Sequence, residues 1–362
     1  MTEECALTHT APLLVTGGAG FIGGNFVRRA LASGKRIVTL DSLGYAGNLA
    51  TLQSVLDDPG HTFIQGSILD RSLLSDILLE YRPQSIVHFA AESHVDRSID
   101  DPECFIETNI KGTYVLLEAS RTYLDEVRGR DRPKDFRFIH VSTDEVFGSI
   151  AEGSVTEEAP YSPNSPYAAS KASSDHLVRA WSKTYNFPGI ITNCSNNYGP
   201  YQLPEKLIPL MILSARAEES LPVYGDGSNV REWLHVHDHC DALMKILRSG
   251  VPGEAYNIGG GEERSNLNVV TTICRLLDKL LPRSDRSAHE GLISFVADRP
   301  GHDWRYAIDA TKLHRDLGWS PAVQFEDGLE KTVSWYLAST SWLQSVSGDK
   351  HVGRRIGTKV GG

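Results

Sequence analysis

Tyr167 and Lys171 stand four residues apart in Tyr167-Ala168-Ala169-Ser170-Lys171, a spacing that puts a phenol and an ammonium on one face of a helix. An unperturbed tyrosine titrates near ~10, so a phenol that acts as a base near neutrality needs a positive charge beside it, and Lys171 is placed to supply one. Thr143-Asp144-Glu145 follows the apolar run Phe136 to Val141. The Thr143 hydroxyl can orient a substrate hydroxyl toward Tyr167, and two adjacent carboxylates can divide the work of a general acid and a general base. Tyr-x-x-x-Lys pairs also occur on ordinary solvated helices, and Asp-Glu pairs in ordinary loops. The elements around them decide between those readings.

The first such element is a strand-like run, Leu13 to Thr16, followed at once by Gly17-Gly18-Ala19-Gly20-Phe21-Ile22-Gly23. Glycines 17, 20 and 23 allow a tight turn, close approach of the backbone to a pyrophosphate, and close helix–strand packing, while the helix start offers its N–H groups to phosphate. A glycine triplet alone is weak. Asp41 strengthens it, because it ends the next strand about 20 residues on, where a carboxylate hydrogen-bonds the adenosine ribose and would repel a 2′-phosphate. NAD is therefore expected rather than NADP, with Lys171 also able to hold the nicotinamide ribose.

Apolar runs at Leu13–Thr16, Ile37–Leu40, Thr62–Gln65, Ile86–Phe89, Phe136–Val141 and Ile190–Asn193 alternate with helical patterns at Phe21–Leu31, Ser72–Glu80, Phe105–Tyr123 and Ala168–Tyr185. That alternation predicts an α/β fold: a Rossmann-type doubly wound parallel sheet over residues 11–200, with later segments able to return to it. After Pro200, shorter helices (Leu207–Ala217, Asp238–Arg248, Leu267–Lys279) between Pro- and Gly-rich loops predict a smaller α/β substrate-binding lobe over 201–340. Residues 345–362 read as a flexible tail.

With 36 Lys and Arg against 46 Asp and Glu, the formal charge is −10, which argues against a nucleic-acid or anionic-membrane surface. Five scattered cysteines without a C-x-x-C pair read as reduced thiols. No apolar run approaches the ~18 residues of a membrane span, and Met1 to Thr10 lacks a signal-peptide core, so a cytoplasmic enzyme is expected. His235-x-His237-x-His239 would aim three imidazoles one way on a strand, but Asp238 and His239 sit where a helix should begin; no metal site is expected.

The glycine turn, Thr143 and Tyr167-x-x-x-Lys171 together resemble the extended short-chain dehydrogenase/reductase family. Four longer stretches are similar to its sugar-nucleotide 4,6-dehydratases: Ala90-Ala91-Glu92-Ser93-His94-Val95-Asp96-Arg97-Ser98, Ser142-Thr143-Asp144-Glu145-Val146-Phe147-Gly148, Asn196-Asn197-Tyr198-Gly199-Pro200-Tyr201-Gln202 and Asp298-Arg299-Pro300-Gly301-His302-Asp303. The similarity runs from about Leu13 to Tyr336. It implies NAD as cofactor, dTDP-glucose as substrate and a homodimer. It also implies roles: Tyr167 takes the C4 hydroxyl proton during oxidation, Glu145 removes the C5 proton, Asp144 in its acid form protonates the departing C6 oxygen, and the hydride returns to C6. The C5 proton is acidic only while C4 is a ketone, which explains a redox cofactor in a dehydratase.

By the same resemblance the cofactor set is Gly17, Gly20, Phe21, Ile22, Gly23, Asp41, Ser42, Leu43, Gly44, Ser67, Ile68, Ala90, Ala91, Ser93, Thr108, Tyr167, Lys171 and Asn197. The substrate set is His94, Thr143, Asn196, Lys206, Leu207, Pro222, Val223, Tyr224, Arg231, Asn266, Asp298, Arg299, Pro300, Gly301 and His302. From sequence alone, Arg231 followed by Glu232 reads more readily as a surface ion pair. Gly24, Ser67, Phe147 and Trp304 depart from the family pattern, Ser67 by replacing a carboxylate acceptor with a hydroxyl. Competing readings are a UDP-glucose 4-epimerase or decarboxylase, which would not need Asp144-Glu145, another nucleotide-sugar dehydratase, and a non-catalytic NAD-binding regulator.

Overall fold

The computed structural model describes residues 11–127, 135–298 and 301–346. Twelve strands and twelve α-helices follow one another as β1 (Leu13–Thr16), α1 (Phe21–Ala32), β2 (Ile37–Asp41), β3 (His61–Gln65), α2 (Arg71–Tyr81), β4 (Ser85–His88), α3 (Val95–Asp100), α4 (Pro102–Phe105), α5 (Thr113–Glu126), β5 (Phe138–Thr143), α6 (Pro166–Tyr185), β6 (Gly189–Cys194), β7 (Asn196–Tyr198), α7 (Leu207–Arg216), β8 (Leu221–Tyr224), β9 (Val230–His235), α8 (Val236–Ser249), β10 (Ala255–Ile258), β11 (Glu262–Ser265), α9 (Asn266–Leu280), β12 (Ile293–Val296), α10 (Thr311–Leu317), α11 (Phe325–Ala338) and α12 (Thr340–Val346).

Seven strands form one parallel sheet in the order β3-β2-β1-β4-β5-β6-β10. Its inner strands are buried along their whole length, as expected where helices cover both faces. One apolar core packs α1, α8 and α10 against the sheet, and another packs α2, α5 and α6 against the opposite face. This is the Rossmann-type arrangement the strand–helix alternation predicts. The order reverses between β1 and β4, where doubly wound sheets open a crevice at the carboxyl ends of their strands.

β10 comes from far along the chain: residues beyond 200 leave the sheet, build the second lobe and return, Ala255 to Ile258 pairing with Ile191 to Cys194. The lobe has its own core around α7, α9 and α11, with a three-stranded sheet β11-β9-β7 and a two-stranded ribbon β12-β8. α12 ties this lobe to the segment after β2: Trp342 donates to Thr51 Oγ1 (3.2 Å) and Asn48 donates to the Ser345 carbonyl (3.1 Å). Ser345 and Val346 of the expected tail thus belong to a helix, and 347–362 lie outside the described residues.

Element boundaries agree with the sequence reading to within a few residues except at Phe105–Tyr123. That stretch is α4, a π-helical segment Ile106–Gly112, then α5. π-turns are rare, and this one is anchored from other elements through Asn109, whose buried side chain accepts from Glu92 N (2.8 Å) and donates to Glu92 O (3.0 Å) and Ser170 Oγ (2.8 Å). The widened turn therefore ties the loop after β4 to α6.

Candidate active site

The turn after β1 is built by steric exclusion. Gly17 has a φ of +72°, and a Cβ there would lie 2.5 Å from Ala90 N; one on Gly23 would lie 2.2 Å from Gly17 O. The turn thus packs directly on the start of the β4 loop, at the sheet's reversal point. Gly20 caps α1 without any side-chain hydrogen bond, leaving the first-turn N–H groups facing the crevice. Asp41, buried at the end of β2, accepts from Ala19 N (2.9 Å) and Leu43 N (2.8 Å). Burial raises its pKa against the pull of those two N–H groups.

One continuous cleft runs from this turn to the second lobe. Every residue of the expected cofactor set lines it except Leu43, whose side chain packs on the core and whose backbone (φ 52°) presents its N–H to Asp41. Ser67 lines it with its hydroxyl accepting from Leu69 N (3.1 Å), a turn-stabilising role. The Oγ of Ser195 and the Oδ1 of Asn196, in the same cleft, are buried without partners within the protein. A glycine cradle, an uncapped helix start and a strand-end carboxylate fit a dinucleotide.

Further along the cleft lie Thr143, Asp144, Glu145, Tyr167 and Lys171. Thr143 is the last residue of β5 and opens a 3-10 turn, Asp144–Phe147, accepting from Glu145 N (3.3 Å) and donating to Asp144 Oδ1 (3.2 Å). Thr143 also pulls the Tyr167 pKa down, so its hydroxyl, already donating to Asp144, lies close to the phenol. Asp144 is 3% exposed, its Oδ2 has no partner within the protein, and its pKa lies well above the carboxylate range. Burial is the main cause, followed by repulsion from Glu145 and Glu232, with Arg231 and Thr143 opposing. The environment favours the acid form of Asp144 over its carboxylate.

Burial also raises Tyr167, with Glu145, Cys194 and Asp144 adding to it. Lys171, buried, donates to Val141 O (2.8 Å), and burial brings it down to about 8. The protein alone therefore keeps the phenol protonated.

Of the remaining expected substrate residues, among those described, Asn196 and Lys206 line this cleft and the others do not, most of them lying in the second lobe. Lys206 donates to Ser93 O (3.0 Å) and caps α7 without a side-chain bond, so the α7 start at Leu207 presents N–H groups. His94 caps α3 and lies 3.7 Å from Glu205. Along β8, Pro222 and Tyr224 are partly exposed while the Val223 side chain is buried in the lobe core, which leaves Val223 only its backbone for a ligand. Tyr224 stacks edge-on with His302 (6.0 Å), which bonds Asp298 (2.6 Å); Asn266 opens α9 and Gly301 lies in the adjoining turn. Arg299 and Pro300 lie outside the described residues.

The surface-pair reading of Arg231 and Glu232 is corrected. Both are buried: Arg231 donates to Asp303 O (2.9 Å) and covers the Tyr306 ring (4.5 Å), while Glu232 accepts from Gly261 N (2.8 Å) and Ile308 N (3.0 Å). Neighbours on a strand point to opposite faces, so the pair splits. His235 ends β9, and His237 and His239 lie on α8, where His239 bonds Asn197 (2.9 Å). The sequence reading took Glu232 only as a surface partner of Arg231 and passed over Glu205, which lines the cleft, and Asp175, which lies behind Lys171; none carries a local motif.

Residues 14–332 match the family described as GDP-mannose 4,6 dehydratase. A dTDP-glucose 4,6-dehydratase of Xanthomonas campestris pv. campestris is 56% identical over 97% of this chain and 100% of its own. The crystal structure of a dTDP-glucose 4,6-dehydratase from Streptomyces venezuelae with NAD bound superimposes with a TM-score of 0.84 at 47% identity, covering 92% of this chain and 99% of that one. A dTDP-glucose 4,6-dehydratase from Bacillus anthracis in complex with NAD gives 0.82 at 45% identity, with 93% and 100% covered.

Proposed function

The chain belongs to the GDP-mannose 4,6 dehydratase family of sugar-nucleotide enzymes, and on that premise we propose that it is an NAD-dependent dTDP-glucose 4,6-dehydratase. The reaction turns dTDP-glucose into dTDP-4-keto-6-deoxyglucose and water. The observation that carries this reading is Asp144, a buried carboxyl beside Glu145 with an unpartnered oxygen at the cleft, in surroundings that favour its acid form. An epimerase or an NAD-binding regulator has no use for such a group.

Bound NAD would supply a hydride acceptor that ends the cycle oxidised, and its oxidised nicotinamide would add to the positive charge of Lys171. Gly17 to Gly23 and the α1 start would hold its pyrophosphate, Asp41 its adenosine ribose, and Lys171 its nicotinamide ribose. Tyr167 accepts the C4 hydroxyl proton, steered by Thr143. Glu145 takes the C5 proton once C4 is a ketone, and Asp144 delivers its proton to the departing C6 oxygen. Lys206 and the α7 start bind the diphosphate, Arg231 and His302 complete that site, and Pro222 to Tyr224 flank the base. Local cations are needed because the chain as a whole is acidic.

The molecule works as a homodimer. Ile99, Ile106, Tyr114 and Tyr185 leave an apolar strip exposed along α3, the π-helical segment, α5 and α6, which a second copy would cover. No helix among the described residues is long and apolar enough to cross a membrane; the enzyme acts in the cytoplasm.

dTDP-glucose deuterated at C4 tests the reaction. Deuterium at C6 of a 4-keto-6-deoxy product is expected by NMR, whereas unchanged substrate or a C4 epimer keeping the label would refute the assignment. Cofactor choice is tested at Asp41. Loss of one charged hydrogen bond costs about 1.5–3 kcal/mol, on the order of ten- to a hundredfold in affinity. Asp41→Asn should weaken NAD by that much while narrowing the preference over NADP. Equal losses for both cofactors in a calorimetric titration would mean Asp41 does not read the 2′ position.

A further inference from the structure

Behind Tyr167 and Lys171, one more helical turn along α6, lies a third residue in the same row: Asp175. The three are spaced i, i+4 and i+8, so they stack along one face of the helix. Asp175 is 0% exposed. Its Oδ2 accepts from Ser142 Oγ (2.8 Å), Tyr161 OH (3.0 Å) and Asn193 Nδ2 (3.4 Å), and its Oδ1 lies 3.2 Å from His140 Nε2. A buried carboxylate is costly unless its lone pairs are filled. Here the end of β5, the loop before α6 and the strand β6 each send a neutral donor to Oδ2, while Oδ1 has no hydrogen-bond partner within the protein.

Asp175 plays no part in the reaction scheme above. It does oppose the largest force on Lys171: burial drives the ammonium toward neutrality, and Asp175 is the leading influence against it. A neutral Lys171 would offer no charge to the Tyr167 phenolate and fewer donors to a ribose. We propose that Asp175 is the positioning residue of the Tyr167–Lys171 pair, a carboxylate locked from behind by Ser142, Tyr161 and Asn193 so that its charge keeps the buried Lys171 an ammonium. This rests on the dehydratase reading only in taking Lys171 as functional.

The other groups facing this row are few. From β5 comes His140, held neutral by burial and by Lys171 itself; from β4, His88, whose ring stacks 5.2 Å from His140 and which is neutral for the same reasons. Cys194 of β6 is a thiol driven up by burial. Tyr161 is driven up too, and Arg179 of α6 lies over its ring at 5.4 Å. Burial pushes Asp175 up to about 6, with Lys171, Ser142, Tyr161 and Arg179 pulling it down. Between about 6 and about 8, then, both Asp175 and Lys171 are charged.

The direct test follows the Lys171 ammonium itself by nitrogen NMR in protein carrying labelled lysine, the resonance assigned by its loss in Lys171→Met. Asp175→Asn keeps the shape and the donors' partner but removes the charge. Its Lys171 midpoint should fall by at least about one pH unit, the size of shift an opposing charge at short range produces. The alkaline limb of C4 oxidation, followed as absorbance of the reduced nicotinamide in a single turnover, should move down with it. A midpoint and limb unchanged from the parent, whatever the loss in rate, would overturn the proposal.

Ser142→Ala and Tyr161→Phe guard against an Asn variant that does not fold. Each removes one donor from the carboxylate, so Asp175 should protonate at higher pH and the acid limb should rise while the alkaline limb stays. If instead both limbs stay fixed, the cluster is structural and the proposal fails. The NMR readout does not depend on which hexose nucleotide is turned over, so a wrong substrate would leave it intact, whereas the rate limbs need a substrate that is oxidised at C4.

Discussion

Asp144→Asn should leave C4 oxidation nearly intact and slow the loss of water by about 10²- to 10⁴-fold, the range a positioned general acid contributes. The amide is close in shape and is a neutral replacement for a group whose acid form the protein favours, so the fold and the Thr143 contact should survive. What it lacks is a proton to give to the C6 oxygen. The reduced nicotinamide should therefore accumulate, and C5 should exchange with deuterated solvent, because Glu145 still works on a 4-keto sugar that cannot eliminate. The sign of the pH dependence follows from the raised pKa. The acid form of Asp144 persists above the usual carboxylate range and is lost as pH rises through its folded value, so elimination in the parent falls on the alkaline side, and that limb should vanish in the Asn variant. Product formation at the parental rate would move the acid elsewhere.

Tyr167→Phe should act one step earlier, with about the same 10²- to 10⁴-fold loss but now in oxidation itself. Without the phenol no group at this position takes the C4 proton, so neither reduced nicotinamide nor C5 exchange should appear. NAD should still bind, since the glycine turn and Asp41 are untouched. The two variants therefore separate the half-reactions: one stalls after the ketone, the other before it. If Tyr167→Phe exchanged C5 at the parental rate, a different residue would be the base. The buried setting explains why the loss should be large. Burial and the nearby Glu145 carboxylate hold the phenol protonated, so only a cationic surrounding, from Lys171 and the oxidised nicotinamide together, makes it a base, and water cannot easily replace it there.

How much of this was legible in the sequence depends on how local the cause is. Gly17 to Gly23 and Asp41 could be read because a βα turn and the next strand end are set by neighbours in the chain. The parallel sheet followed from its apolar runs, and the Tyr167–Lys171 row from helix periodicity. The π-turn at Ile106–Gly112 was not legible, because its anchor, the bonding of Asn109 to Glu92 and Ser170, lies in two other elements. Glu232 could not be seen to raise Asp144 from another lobe, nor Arg231 and Glu232 to be buried on opposite faces of β9. Val223 shows the same limit in reverse. Resemblance put the residue at the base, whereas strand alternation sends its side chain into the core.

The return of β10 has a consequence for how the chain is made. Until Ala255 to Ile258 arrive, β6 is an open edge of the sheet, its backbone N–H and C=O groups unpaired on one side. A nascent polypeptide must complete the whole excursion through the second lobe before that edge closes, and a ribosome that stalls within it would leave a parallel strand exposed to other chains. The same edge limits modular reuse: a dinucleotide-binding unit cut before the excursion would leave β6 unpaired, whereas one that runs through Ile258 would keep that pairing, with β10 as the last strand of the sheet.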